Sequence, residues 1–90
     1  MSKTKRHKDK VASLPCQLCK ALGQTQETRT EVHHMRTGQG MAQRASDFLA
    51  IALCSDCHRG PLGLHGDRSL LRIAKLDEFD LLAMTVESVS

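Results

Sequence analysis

The sequence predicts a small α+β domain, with two short strands and C-terminal helices gathered around a four-cysteine metal site. Three observations point there. The 90 residues include two Phe and no Tyr or Trp, so the hydrophobic core is thin and a chain of this size needs a staple. Two Cys-x-x-Cys pairs flank a pair of β-type runs. The last third of the chain carries apolar residues at helical spacing.

Taken in order, residues 1–13 form a basic flexible arm, polar enough to lack regular structure without a partner. Residues 14–66 form the metal-stapled unit. Pro15 opens it, and Cys16-Gln17-Leu18-Cys19 is a tight turn. Residues 21–29 are a polar connector. Thr30 to His34 (TEVHH) is short, β-branched and bounded by polar residues, which predicts a strand. Residues 36–47, with Gly38 and Gly40, form a long loop with room for a helical turn near Met41 to Ala45. Phe48 to Leu53 (FLAIAL) is apolar throughout and suits a buried second strand. Gly60, Pro61, Gly63 and Gly66 then break regular structure.

Residues 67–90 form a helical segment packing on that unit. Asp67 or Ser69 caps a helix running to about Lys75, with Leu70, Ile73 and Ala74 on its apolar face. Asp77 caps a second helix from Glu78 to about Glu87, where Phe79, Leu82, Ala83 and Val86 follow helical spacing. Leu71, Leu81 and Met84 fall outside these faces, where they would pack on the rest or dock a partner or second copy.

The cysteine spacing carries the strongest chemical signal. Two residues between thiols let both sulfurs reach one tetrahedral ion. A lone Cys-x-x-Cys is also a redox motif, and four cysteines can pair as disulfides. Two such pairs on turns predict one structural zinc site at Cys16, Cys19, Cys54 and Cys57. Structural zinc supplies on the order of 10 kcal/mol to folding, so a thin core suffices.

Charge is uneven along the chain. Residues 1–60 hold ten Lys/Arg against five Asp/Glu, and residues 61–90 hold three against five. A basic front and acidic rear predict a nucleic-acid-facing half and a structural or partner-facing half. No apolar run is long enough for a membrane helix and none has the form of a signal peptide. The expectation is a cytoplasmic protein without membrane partners, where thiols stay reduced.

Four histidines, His33, His34, His58 and His65, lie outside the cysteine site, three of them beside predicted element ends. They suggest a second metal site and a base. In a strand His33 and His34 point to opposite faces, so one can bind metal while the other faces a substrate. His7 lies in the arm and is expected to be incidental.

The order Cys16-x-x-Cys19, then Glu31-Val32-His33-His34, then Leu53-Cys54-x-x-Cys57-His58 resembles the HNH endonucleases, the ββα-metal or His-Me finger fold. It looks closest to phage-type members with cysteine knuckles, similar to the RecA-dependent recombination nuclease group. The match covers residues 15 to about 65. The resemblance implies a divalent-metal-dependent nuclease that hydrolyses or nicks DNA, in the bacterial cytoplasm of a phage host, with a recombination or replication protein as partner. His34 would be the general base, and His33 and His58 would hold a catalytic Mg²⁺, Mn²⁺, Ni²⁺ or Zn²⁺. The family's middle Asn is missing, and no Asn occurs in the chain. Asp47 is the nearest substitute and can accept a hydrogen bond from His34. Where the family continues its helix to a further ligand, Gly60-Pro61-Leu62-Gly63 intervenes here. His65 would then loop back as third ligand, stack near the phosphate, or do neither. Arg36, Arg44 and Arg59 flank the site as candidate phosphate contacts.

Two other classes stay open on the sequence. One is a non-catalytic zinc-ribbon-like module that binds nucleic acid. The other is an adaptor whose acidic helical rear docks a partner or forms a homodimer through the C-terminal helices.

Overall fold

A computed structural model describes residues 3–35 and 46–89. These form a two-stranded antiparallel sheet and five helices: α1 (Lys3–Ala12), α2 (Gln17–Leu22), β1 (Thr30–His34), β2 (Ala50–Cys54), α3 (Ser55–Arg59), α4 (Ser69–Ala74) and α5 (Glu78–Val89). The α+β class, both strands and both C-terminal helices agree with the sequence reading. The long loop's glycines, its expected helical turn, and Arg36 and Arg44 lie outside the described residues.

The sheet sets the position of everything else. Thr30 pairs with Cys54, Val32 with Ala52 and His34 with Ala50. All five β2 residues are buried, as expected of an apolar run covered on both faces. The two faces differ. Ile51 and Leu53 enter the main core with the four cysteines, Leu18, Leu64, Leu71 and Leu81. Ala50 and Ala52 enter a second cluster with Val11, which Leu14, Val32 and Val89 pack against. Directly opposed residues of an antiparallel pair share a face. His33, opposite Ile51, therefore belongs to the main-core face, and His34, opposite Ala50, to the face covered by α1.

Two expectations are corrected. The basic arm is helix α1, and its Val11 is fully buried. Only Val11 and Leu14 give this segment an apolar side, so its order comes from the flat alanine surface of β2 rather than from its own composition. The buried face of α5 is Glu78, Leu81 and Thr85, while Phe79 and Val86 are exposed. The same shift occurs in α4, where Leu71 is buried and Ile73 exposed. The apolar spacing chosen from sequence was out of register because the inward face of α5 includes a carboxylate and a hydroxyl. Thr85 Oγ1 is satisfied by donating to the Leu81 carbonyl at 2.8 Å. The α5 N-terminus is capped reciprocally: Asp77 Oδ1 accepts from the Asp80 N–H, and Asp80 Oδ2 from the Asp77 N–H, both at 2.9 Å. This is the capping-box pattern with Asp at the third position.

The breaker segment after α3 folds back tightly on it. The Leu64 N–H donates to the Cys57 carbonyl at 2.8 Å and the His65 N–H to the His58 carbonyl at 3.0 Å. This return path needs Gly63, because a Cβ there would lie 2.3 Å from the Cys57 carbonyl oxygen. Gly63→Ala should therefore cost roughly 1–3 kcal/mol, as backbone must move to relieve the overlap. Urea denaturation of the zinc-loaded protein measures it, and an unchanged midpoint would show that the turn yields without cost.

Candidate metal centre and histidine cluster

The cysteine centre is built from two local structures. Cys16 is the N-cap of α2, and its Sγ accepts the Cys19 N–H at 3.4 Å. Gly23, left-handed at φ 69°, ends the helix and returns its N–H to the Cys19 and Lys20 carbonyls. Gln24 Nε2 donates to Cys19 Sγ at 3.4 Å. Cys54 closes β2 and Cys57 lies in the first turn of α3. The strand pairing thus carries the second pair of thiols to the first.

All four cysteines are buried and none forms a disulfide. Cys19 Sγ lies 3.7 Å from both Cys54 Sγ and Cys57 Sγ. Sulfurs at ~2.3 Å from a tetrahedral ion stand roughly 3.8 Å apart, whereas a disulfide needs about 2.05 Å. The donor set therefore fits a structural zinc site. Protonation energetics agree. The hydrogen bond from Cys57 lowers the Cys16 thiol to about 5, while burial raises Cys19 to about 11. Cys57 is pushed up mainly by its contact with Cys16. A first thiolate forms readily at Cys16, while Cys19 and Cys57 hold their protons unless a cation stabilises their thiolates.

The histidines separate into two groups, one on each face of β1. On the main-core face, His33, His58 and His65 bring one ring nitrogen each within 4.8 Å of one another. His58 Nε2 and His65 Nε2 are 3.1 Å apart. The ring centroid of His33 is 5.0 Å from His58 and 5.2 Å from His65. Two of these rings are held by carboxylates. His33 Nε2 lies 2.6 Å from Glu78 Oε2, with both side chains 2% exposed. His58 Nδ1 lies 2.8 Å from Glu31 Oε1. A carboxylate behind an imidazole fixes its tautomer and raises its basicity as a ligand. Burial keeps the His33 pKa below its usual value despite Glu78, which favours the neutral, ligating form at pH 7.

Glu78 and Glu31 are site residues that sequence reasoning missed. Glu78 was read only as the start of a helix. Glu31 stood in the quoted strand motif, and its alternation with His33 along β1 was the signal that it shares that face. Glu31 also accepts Arg59 Nη2 at 2.6 Å, Arg59 Nε at 3.0 Å and Ser55 Oγ at 3.2 Å. Its pKa is lowered first by the His58 contact and, after burial opposes it, by Arg59. Arg59 is thus a strap between α3 and β1, with its guanidinium committed to Glu31. Glu78→Ala should destabilise the protein by about 2–3 kcal/mol, because it strands a buried His33 N–H that now meets a charged acceptor. A loss below ~0.5 kcal/mol in urea unfolding would mean that the pair carries no net stability.

On the opposite face His34 Nε2 lies 2.7 Å from Asp47 Oδ1, with the side chains 19% and 29% exposed. The sequence-predicted pair is therefore in contact, at the edge of the sheet where β1 ends and β2 is about to begin. The structure brings His33, His58 and His65 together, and His34 with Asp47.

The fold and site define a small α+β domain with a buried Cys₄ cluster that fits a structural zinc ion and a neighbouring histidine cluster. No protein-family model matches the chain, and no curated protein or solved structure matches it. No helix among the described residues is long and apolar enough to cross a membrane.

Proposed function

We propose that this protein is a divalent-metal-dependent HNH-type endonuclease that nicks or hydrolyses DNA. The observation that carries the reading is the division of labour along β1: a carboxylate-braced histidine cluster on one face and a carboxylate-oriented histidine, one residue away, on the other. The sequence order of strand, strand and short helix (β1, β2, α3), with histidines at the end of the first strand and on the helix, supports the reading as a ββα-metal unit.

The residues support a hydrolytic step. With His34 held against Asp47, its imidazole is oriented to serve as the base. It takes a proton from a water whose oxygen attacks phosphorus, and the bond from phosphorus to the 3′ oxygen breaks. An imidazole is the side chain most often used for this transfer. Asp47 fills the orienting place that the resembled family gives to Asn, with a negative charge that also stabilises the imidazolium formed. A divalent ion held by His33, His58 and His65 would stabilise the added charge on the phosphate and on the departing oxygen. Two nitrogens at about 2.1 Å from one ion stand roughly 3.0–3.4 Å apart, and the 3.1 Å between His58 and His65 accords with that.

The test is nicking of supercoiled plasmid by the zinc-loaded protein with Mg²⁺, Mn²⁺ or Ni²⁺, against His34→Ala. Conversion to open circle by wild type alone is expected. No conversion with any ion would favour a zinc-stapled binding module instead.

A further inference from the structure

Helix α1 reaches beyond packing. Its face bearing Lys3, Arg6, His7 and Lys10 meets Phe48 and Val89 around a shallow cleft of about 290 Å³. Lys3, Arg6 and Lys10 are exposed and follow helical spacing, and among the described residues no carboxylate side chain lines the cleft. Asp9, the one acid of α1, is turned to Lys5 at 3.5 Å. Phe48 is 45% exposed although it is one of the two aromatic rings of the chain. Its ring centroid is 5.1 Å from that of His7. His7 Nε2 is buried, with no hydrogen-bond partner among the described residues. Burying a polar atom without a partner is costly.

The cleft also has a defined relation to the proposed active site. Phe48 follows Asp47 directly, so their Cα atoms are about 3.8 Å apart. Helix α1 covers the same sheet face to which His34 belongs. We infer that the Lys3–Arg6–Lys10 face of α1 and Phe48 form a binding cleft for a single-stranded stretch of DNA, with the cations on its phosphates and an unpaired base stacked on Phe48. A cationic groove beside an exposed aromatic ring is the composition that holds unpaired strands. Ordinary core packing would bury Phe48, and a duplex would offer its ring no free base face. The inference rests on the nuclease reading for its choice of DNA, and it deepens that reading by assigning the strand form the site receives.

The experiment measures fluorescence anisotropy of a short labelled single strand, and of the same sequence as a duplex, with zinc-loaded protein and no added divalent ion. Phe48→Ala should weaken single-strand binding roughly 5- to 150-fold, the range for loss of one stacked base, and should affect the duplex much less. Phe48→Tyr should bind like wild type. Replacing Lys3, Arg6 and Lys10 together by Gln should lower the slope of log affinity against log salt by about 2, the value for three phosphate contacts on a single strand. These side chains are exposed, and unchanged zinc content and circular dichroism certify the fold. Wild-type affinity and salt slope in both variants would overturn the cleft. Equal losses on single strand and duplex would overturn the stacked base. Tight, Phe48-dependent binding by a protein that never nicks would sink the nuclease reading and leave the cleft standing. Nicking by a protein whose Phe48→Ala variant binds undiminished would do the reverse.

Discussion

One zinc ion per chain is expected by elemental analysis of protein purified without added metal, and Cys54→Ser should abolish cooperative folding. The magnitude follows from the architecture. The four thiols come from the start of α2, the end of β2 and the first turn of α3, so one ion ties α2 to the sheet and the histidine-bearing helix. Structural zinc contributes on the order of 10 kcal/mol in small domains, comparable to the whole stability of a chain this size. Removing one sulfur leaves three that must be neutralised in a buried place. A strong chelator should therefore erase the thermal transition, and zinc should restore it. Because bound cysteines are thiolates, protons compete with the ion: zinc affinity rises with pH, and the domain should release zinc and unfold as pH falls. A native protein with fewer than four titratable thiols after zinc removal would mean disulfides, and would overturn the assignment.

The parts of the fold that could be read from the sequence are those where one local rule decided the outcome. Cys-x-x-Cys spacing has one good use in two copies, and TEVHH and FLAIAL have few alternatives to strands. The second strand begins two residues later than expected because Phe48 and Leu49 belong to the approach: the Leu49 carbonyl accepts the Met35 N–H at 2.9 Å and the Leu49 N–H returns to the Ser46 carbonyl. The extension of the first cysteine turn into α2 had a readable sign in Gly23 at the C-cap. What was not legible depended on tertiary partners. Helix α1 is mean-polar and is ordered by Val11 on the alanines of β2, so truncating it would remove core as well as charge, and side-chain substitutions are the cleaner probe of its role. Glu78 is 45 residues from His33, and nothing local says that a helix's first carboxylate turns inward. His65 returns to His58 through a turn whose backbone path depends on carbonyls of α3, while the sequence shows only breakers.

The same geometry makes the two proposed chemical roles separable by mutation. His33 is a poor probe of metal binding, because truncating it also removes the buried contact between its ring and Glu78. His58 and His65 are better. Glu31 keeps Arg59 and Ser55 when His58 is removed, and His65 is exposed. Loss of either should weaken affinity for the divalent ion, so that more metal restores part of the activity.

His34→Ala should abolish strand cleavage while leaving fold, zinc content and DNA affinity nearly unchanged. Its side chain is only partly buried and lies at the sheet edge, so truncation removes little packing. A base acts in the transition state and adds little to ground-state binding, so its loss appears in turnover. The expected fall is roughly 10²–10⁴-fold at saturating DNA, and added metal should not reverse it, in contrast to His58→Ala. Asp47→Ala should fall between, since the imidazole keeps its basic nitrogen but loses the carboxylate that fixes its tautomer and stabilises its charged form. Metal rescue of His34→Ala would make it a ligand rather than the base. Undiminished nicking by His34→Ala would place the base elsewhere and end the assignment.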